Sequence, residues 1–308
     1  MKVLVVKSRK DFRKEDLEKL DKHNAIFYEE KIGVPDIKEL YEEEEVILAV
    51  QPTYMKELFE SLSWKEVRQF KKLKGLVLAT TAFGWVPNEE LRKKGIAVAN
   101  CPGKSTNAVA EGGFFSMIAL LRKIPLLVQN NWVGDFSKLM GEEWKELHAG
   151  VIGLGLIGNR FAEICKQNGL EVSYWNRSKK KSQFNADSIE NIFKKCDVVY
   201  LSFATDESLR GFIPNKLIDS MKPTALLISC IDNYVLDLEY VLKRVRDGKL
   251  GGCAFESEEH KSKDLHGNIW VSPESYYYFT TQTRDNESKI FTDTILSFVE
   301  GKPINVVN

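Results

Sequence analysis

A glycine-rich turn at residues 151–158, with the sequence VIGLGLIG, constrains the fold of this chain more than any other feature. It follows an apolar run and precedes a segment with helical periodicity, the context in which a G-x-G-x-x-G pattern becomes specific. Gly153 permits a tight turn, Gly155 lets the backbone approach a pyrophosphate, and Gly158 allows close packing of the helix, whose N-terminus adds amide donors. The pattern predicts a doubly wound parallel sheet that binds a nicotinamide dinucleotide.

The residues after the next predicted strand, 171–175, are expected to select the adenosine ribose of the cofactor. They are Asn176, Arg177, Ser178 and Lys179, without a carboxylate. A carboxylate would repel a 2′-phosphate, whereas Arg177, Ser178 and Lys179 can donate to one. We therefore predict that NADP(H) binds more tightly than NAD(H); the alternative is a solvated basic turn that serves NAD(H) through Asn176. The predicted cofactor contacts are Gly153, Gly155, Leu156, Ile157, Gly158, Asn176, Arg177, Ser178, Lys179, Phe203 and Ala204.

Apolar runs alternate with amphipathic stretches along the chain, as in α/β proteins. A first series of predicted strands, at 2–6, 25–28, 46–50, 76–80 and 97–99, has helical segments near 11–23, 37–41, 55–62 and 88–94. A second series starts at residue 149 and reaches about six strands by residue 271, and a helix is predicted over 285–300. We expect a small domain of residues 1–102 plus 282–308 and a dinucleotide-binding domain of residues 103–281.

The charge and hydropathy of the chain exclude several classes of protein. Forty-four basic residues balance 44 acidic ones, so no net field favours nucleic acid. No stretch approaches the roughly 20 apolar residues of a membrane span. The short apolar run at 3–6 is typical of a first strand rather than a signal peptide, which favours a cytoplasmic location.

Cysteine and histidine give no sign of a disulfide framework or a metal centre. Five cysteines occur without a C-x-x-C pair, and we interpret them as reduced thiols. The four histidines lack the spacing of metal ligands on a helix. The sequence therefore predicts no metal site.

The arrangement resembles the D-isomer-specific 2-hydroxyacid dehydrogenases. The resemblance rests on GIAVANCPG at 95–103, VAE at 109–111, GLGLIG at 153–158, RGFI at 210–213, MKP at 221–223, GKL at 248–250 and NVV at 305–307. It implies a Rossmann cofactor domain inserted in a smaller flavodoxin-like α/β domain, and an NAD(P)-dependent oxidoreductase acting on a CH–OH type substrate. It also implies a homodimer, with the apolar helix predicted over 108–122 in the interface.

The catalytic positions of that family are substituted in this chain. Family members use an Arg for the substrate carboxylate and a His, oriented by a Glu, for the proton. Counted from GKL at 248–250, the Arg position is Asp232, and the His position is Glu274. The supporting Glu would lie near Glu258 and Glu259, which are out of register. Because Asp232 would repel a carboxylate, we expect it to face a cationic or hydroxylated group, with Glu274 as a candidate acid.

The segment ATTAFG at 79–84 resembles the substrate loop of the family. The amides of Thr81 and Ala82 would hold a small anion, and Lys104 would restore one positive charge. The alternative for Lys104 is an exposed lysine at the start of a helix. The phenols at 276–278 are either proton donors or aromatic packing.

Two functions are compatible with these observations. The first is an NAD(P)-dependent oxidoreductase with an altered substrate or atypical catalysis. The second is a non-catalytic NADP(H)- or NAD(H)-binding protein that acts as a sensor or interaction partner. The missing catalytic residues favour the second, whereas the intact glycine-rich turn and the segment at 100–104 fit both, and we favour the enzyme.

Overall fold

The computed structural model describes residues 1–57, 62–135, 139–260, 265–273 and 276–308. The predicted α/β class, with two parallel sheets and helices around them, is confirmed. The chain divides into two compact units: a first unit of Met1–Lys104 with Thr280–Asn308, and a second unit of Ser105–Phe279.

The first unit is built on a parallel sheet of five strands in the order β2-β1-β3-β4-β5. This is the flavodoxin-like order predicted from the resemblance. Its elements before the second unit are β1 (Lys2–Val6), α1 (Lys14–Lys22), β2 (Ile26–Tyr28), β3 (Val46–Val50), α2 (Trp64–Val67), β4 (Leu73–Leu78), α3 (Asn88–Lys93) and β5 (Ala97–Ala99).

The two faces of this sheet carry separate cores, because successive side chains of a strand point to opposite faces. Leu4 and Val6 pack in one core, and Val3 and Val5 pack in the other. All five residues of β3 are buried. Such continuous burial is typical of a central strand of a parallel sheet with both faces covered.

The second unit is built on a parallel sheet of seven strands, one more than the six predicted. Its elements are α4 (Thr106–Leu121), α5 (Ile124–Gln129), β6 (His148–Ile152), α6 (Leu156–Gln167), β7 (Glu171–Trp175), β8 (Asn185–Ala186), α7 (Ile189–Lys195), β9 (Val198–Leu201), α8 (Asn215–Ser220), β10 (Leu226–Ser229), α9 (Leu238–Arg246), β11 (Gly252–Glu256) and β12 (Ile269–Ser272). The order β12-β11-β10-β9-β6-β7-β8 is that of a Rossmann sheet with one further strand. The switch point lies between β6 and β9.

The chain returns to the first unit through α10 (Thr281–Val299), which packs Phe291, Ile295 and Phe298 in one of its cores. A Cβ atom on Gly75 in β4 would lie 2.2 Å from the Phe298 ring, so this close approach requires glycine. The helix begins four residues earlier than predicted, because the Thr280 hydroxyl caps it by accepting a hydrogen bond from the amide of Thr283.

The helix predicted over 55–62 is wrong in its described part. Met55 forms a β-bridge with Ile32, and the next helix starts at Trp64 behind a Ser63 capping box. The helix predicted over 37–41 is a 3₁₀ helix, Lys38–Tyr41. The local spacing of apolar residues predicted both α-helices, but tertiary contacts override local spacing in both segments.

Within the described ranges, no helix has the length and apolar character needed to cross a membrane. The five cysteines are free thiols, and all except Cys230 are buried. Among the described histidines, cysteines and carboxylates, no group of three lies together as metal ligands would.

Candidate functional site

The glycine-rich turn connects β6 to α6 at the carboxyl edge of the second sheet. Gly153 has a φ of +98°, and a Cβ atom there would lie 2.7 Å from the backbone of Phe203. A Cβ atom on Gly158 would lie 2.0 Å from the carbonyl oxygen of Gly153. At Gly155, by contrast, no atom comes within 4 Å of the Cβ position. The protein itself needs Gly153 and Gly158, and Gly155 leaves open space for a ligand.

The first turn of α6 completes this cradle. Leu156 is exposed and Ile157 is half-buried at the start of the helix. The first amides of a helix have no partner within it, and together with the helix dipole they attract an anion. The residues present therefore fit the pyrophosphate of a dinucleotide.

The predicted selector residues follow β7 at the same edge. Asn176 accepts a hydrogen bond from the amide of Leu154 at 3.0 Å and donates one to the carbonyl of Ser178 at 2.8 Å. Its side chain thus joins the selector turn to the glycine-rich turn, a role that sequence analysis missed. Arg177, Ser178 and Lys179 are exposed.

Arg177 also lies within electrostatic range of the next loop. The pKa of Asp206 is held below its ordinary value, mainly because Ser208 donates hydrogen bonds to its carboxylate, with a smaller Coulombic contribution from Arg177. The positive charge of the selector turn is therefore partly offset by Asp206.

Aromatic side chains surround the predicted contact Phe203, which follows β9. Its ring meets that of Phe212 edge to face with centroids 5.4 Å apart, and Phe212 lies 5.9 Å from Trp175. Ala204, the other predicted contact of this loop, is exposed. Trp175 ends the predicted strand before Asn176, and Phe212 lies in the segment RGFI, but no pattern in the sequence indicated that their rings pack together.

Asp232, at the Arg position of the resembled family, follows β10 on the edge that carries Gly153. Its side chain is exposed, and its carboxylate accepts a hydrogen bond from the hydroxyl of Thr205 in the loop after β9. The next residue, Asn233, donates to the carbonyl oxygen of Glu256 at 2.9 Å. The loop after β10 is thus held to the ends of both neighbouring strands, β9 and β11.

Glu274, which the resemblance places at the His position, lies outside the described residues. Glu256 ends β11, is half-buried, and accepts a hydrogen bond from the amide of Tyr277 at 2.9 Å. The sequence comparison expected a supporting carboxylate near Glu258 and Glu259, which are out of register with the family, and both of these are exposed. A carboxylate that directly ends a buried strand was the available signal for Glu256.

The phenol of Tyr277 favours the packing alternative. It is hydrogen-bonded to the hydroxyl of Ser116 at 2.7 Å, and its ring covers Gly112, where a Cβ atom would come within 2.6 Å. Burial raises the pKa of Tyr277 to about 12. Tyr276, by contrast, is exposed.

In the first unit, the loop after β4 carries the predicted anion-binding residues Thr81 and Ala82. Both are exposed. Asn100 donates to the carbonyl of Thr81 at 2.7 Å, and Thr80 and Trp85 donate to the carbonyl of Ala82 at 2.6 and 3.2 Å. These bonds leave the loop anchored through its carbonyl oxygens.

Lys104 is buried, so the alternative of an exposed lysine is wrong. Only 7% of it is accessible, and it donates to the carbonyl of Ala79 at 2.7 Å and to the carboxylate of Glu287 in α10. Glu287 also pairs with Lys7, directly after β1, at 2.5 Å. Lys7 and Glu287 were not among the predicted site residues, because 280 residues separate them in the chain.

Comparison with known proteins shows the family to which the second unit is similar. Residues 114–275 match the family described as D-isomer specific 2-hydroxyacid dehydrogenase, NAD binding domain. A glyoxylate reductase of Thermococcus litoralis is 26% identical over 257 residues, which cover 77% of each chain. A D-2-hydroxyacid dehydrogenase (NAD+) of Lacticaseibacillus paracasei is 27% identical over 216 residues, covering 62% of this chain and 65% of the relative.

Solved structures share the fold over the whole chain. An acyclic imino acid reductase in complex with NADPH and D-Arg superposes with a TM-score of 0.85 at 21% identity, covering 100% of both chains. A glyoxylate reductase from Paecilomyes thermophila gives a TM-score of 0.84 at 18% identity, covering 100% of this chain and 98% of the other. None of these comparisons favours the non-catalytic alternative.

Proposed function

The chain belongs to the D-isomer specific 2-hydroxyacid dehydrogenase family and is an NAD(P)-dependent oxidoreductase, and from this premise we propose that it reduces 2-oxo or 2-imino acids that carry a positively charged side chain. The proposal is based on the exposed carboxylate of Asp232, which the resemblance places at the family's Arg position. Asp232 stands on the strand edge that holds the glycine-rich turn, where ligands of a doubly wound sheet bind.

The chemistry of Asp232 suits a cation better than a carboxylate. An exposed carboxylate forms strong, charge-assisted hydrogen bonds with a guanidinium or an ammonium group. The hydroxyl of Thr205 donates to one of its oxygens and orients the group. A substrate with an uncharged side chain of similar length would not form this charge-assisted hydrogen bond with Asp232.

The reaction needs a hydride and a proton at the substrate. A nicotinamide cofactor held at the glycine-rich turn would supply the hydride to C2, and the oxygen or nitrogen on C2 would take the proton to give an alcohol or an amine. We assign the proton to Glu274, the residue at the family's His position. Thr81 and Ala82 offer amides for the substrate carboxylate, as their place in the family's loop suggests.

The imino acid reductase with the same fold supports this substrate class. It was solved with NADPH and with D-Arg, a 2-amino acid with a guanidinium side chain. Asp232 offers the group that a guanidinium requires. At 21% identity the likeness is one of fold, and the proposal therefore depends on Asp232.

We also infer that NADP(H) is the preferred cofactor. Arg177, Ser178 and Lys179 are exposed after β7 and can donate to a 2′-phosphate. Asn176 is engaged by Leu154 and Ser178, which argues against the alternative that Asn176 alone serves the ribose of NAD(H).

Two further proposals concern the oligomeric state and the cellular compartment of the enzyme. The family resemblance implies a homodimer, and Phe115 of α4 is 52% exposed although it is large and apolar, which fits a helix in an interface. Five free thiols fit a reducing compartment, and we propose the cytoplasm.

Turnover tests the proposed function directly. The protein would be incubated with NADPH and the 2-oxo acid of arginine, alone and with ammonium, and absorbance loss of NADPH would be followed beside the products. We expect oxidation of NADPH with this acid and little with glyoxylate. Tight NADPH binding without turnover of any oxo acid, with or without amine, would contradict the proposal.

A further inference from the structure

The loop after β10 carries Asp232 and continues directly into a single 3₁₀ turn, Asn233–Val235. Asn233 is half-buried, in contrast to the exposed Asp232 before it. Its side-chain amide donates a hydrogen bond to the carbonyl oxygen of Glu256 at 2.9 Å. Asn233 therefore connects the loop that carries Asp232 to the end of the neighbouring strand, β11.

The residue that accepts this hydrogen bond is itself held on two sides. Glu256 ends β11, and its register partner in β12 is Ser272, which is buried. The carboxylate of Glu256 accepts a hydrogen bond from the amide of Tyr277 at 2.9 Å. The phenol of Tyr277 is in turn hydrogen-bonded to the hydroxyl of Ser116 at 2.7 Å. Glu256 thus offers a fixed carbonyl oxygen to Asn233.

On its other side, the loop after β10 is held by the loop after β9. The amide of Gly211 donates to the carbonyl oxygen of Tyr234 at 2.9 Å. The hydroxyl of Thr205 donates to one oxygen of the Asp232 carboxylate. Because β10 lies between β9 and β11, Asn233 adds a constraint from the side opposite to Thr205. Contacts on both sides reduce the number of conformations that are open to the loop.

We propose that Asn233 is a positioning residue for the substrate cation. Its hydrogen bond to Glu256 holds the loop after β10 in the conformation in which the carboxylate of Asp232 meets the charged group of the substrate. The inference rests on the proposed function, from which it takes the cationic substrate of Asp232. In this role Asn233 acts through Asp232 and is not a catalytic residue.

The size of the effect is limited by the hydrogen bond itself. A hydrogen bond shifts the loop toward the binding conformation by no more than its own net contribution. For a neutral hydrogen bond this corresponds to a factor of about five in a population or an affinity. We therefore expect Asn233→Ala to raise KM for a cationic acid by up to about five-fold, with kcat and the KM of an uncharged acid unchanged.

A double-variant cycle separates positioning from general damage to the enzyme. The ratio of kcat/KM for the 2-oxo acid of arginine to kcat/KM for the 2-oxo acid of norleucine is measured with NADPH in the unaltered enzyme, in Asp232→Asn, in Asn233→Ala and in the double variant. We expect Asn233→Ala to lower this ratio when Asp232 is present and to leave it unchanged in Asp232→Asn. An equal fall of kcat/KM for both acids, or the same fall of the ratio in both backgrounds, would overturn the proposal.

Asn168→Ala is the matched control. Asn168 follows α6, at the opposite edge of the second sheet, and its side-chain amide donates to the carbonyl oxygen of Ile164 at 2.8 Å. Loss of this similar hydrogen bond should leave the ratio unchanged.

Hydrogen exchange of the ligand-free protein adds a measurement without turnover. The amides of Val235 and Leu236 donate within the turn that begins at Asn233. We expect both amides to exchange up to about five-fold faster in Asn233→Ala, because the loop opens more often. Unchanged exchange at both amides would also overturn the proposal.

The two substitutions tell the failure of this inference apart from the failure of the proposed function. If the preference for the cationic acid is absent in the unaltered enzyme or survives in Asp232→Asn, the proposed function fails and the inference is overturned with it. If the preference depends on Asp232 and not on Asn233, the proposed function stands and the inference alone is overturned.

Discussion

We predict that alanine at Gly155 of the glycine-rich turn weakens cofactor binding alone, whereas alanine at Gly158 weakens both cofactor binding and stability. At Gly155 the added methyl group meets no protein atom within 4 Å, and its φ of −76° is allowed for alanine. We expect a melting temperature within about 2 °C of the unaltered protein. Alanine at this position weakens the cap of the helix, but it also lowers the conformational entropy of the unfolded chain, and these two effects on stability are of similar size and opposite sign. The methyl group would instead occupy the space of the pyrophosphate.

At Gly158 the same methyl group would lie 2.0 Å from the carbonyl oxygen of Gly153 and 2.6 Å from the hydroxyl oxygen of Ser202. Both atoms belong to the buried junction of β6, β9 and α6, so backbone must move. Overpacking of this kind costs about 1–3 kcal/mol, which lowers the melting temperature of a domain of this size by roughly 3–10 °C.

Calorimetry and NADPH fluorescence titration measure the two effects on the same samples. We expect Gly155→Ala to weaken NADPH binding by at least about ten-fold, or about 1.4 kcal/mol, without loss of stability. Gly158→Ala should lose both affinity and stability. Unchanged NADPH affinity in Gly155→Ala would show that the pyrophosphate does not approach this residue.

Three further predictions concern the selector turn, the buried pair of Lys7 and Glu287, and the assembly. Arg177→Leu should weaken NADPH binding by about ten-fold and leave NADH binding unchanged in parallel titrations, and equal loss for both cofactors would count against a 2′-phosphate contact. Burial raises the pKa of Glu287, but the attraction of Lys7 and Lys104 outweighs this and lowers the pKa in the folded protein. The contribution of Glu287 to stability is therefore present above its unfolded pKa and is lost as the pH falls through the folded value. Denaturant unfolding should therefore show that the free energy of unfolding falls less between pH 5 and pH 3 for Lys7→Met with Glu287→Gln than for the unaltered chain. The same fall in both proteins would exclude this linkage. Light scattering should give about 70 kDa, twice the chain mass of 35.2 kDa, and a monomeric mass would rule out the proposed homodimer.

Much of the fold followed from local sequence patterns. The strands Lys2–Val6, Val46–Val50 and Glu171–Trp175 were predicted with the limits found in the structure, because each is a short apolar run between polar segments. The short elements α5 and α8 and the two-residue strand β8 were missed. In these segments the apolar periodicity does not stand out against their neighbours.

The candidate site was only partly accessible to sequence analysis. The physical roles of Gly153 and Gly158 follow from the spacing of the turn, and the structure shows the contacts that exclude a side chain there. The buried pair of Lys7 and Glu287 was not predicted, since these residues meet only in the folded chain. Glu287 does lie four residues before buried Phe291 in α10, so a charge on the buried face of a helix was the available signal.

Charge selectivity shows whether Asp232 binds a cationic group of the substrate. The ratio of kcat/KM for the 2-oxo acid of arginine to kcat/KM for the uncharged 2-oxo acid of norleucine would be measured with NADPH, in the unaltered enzyme and in Asp232→Asn. A charge-assisted hydrogen bond contributes about 1.5–3 kcal/mol, so we predict a preference of at least about ten-fold for the cationic acid that disappears in Asp232→Asn. The same ratio in both proteins would exclude Asp232 as the group that binds the substrate cation.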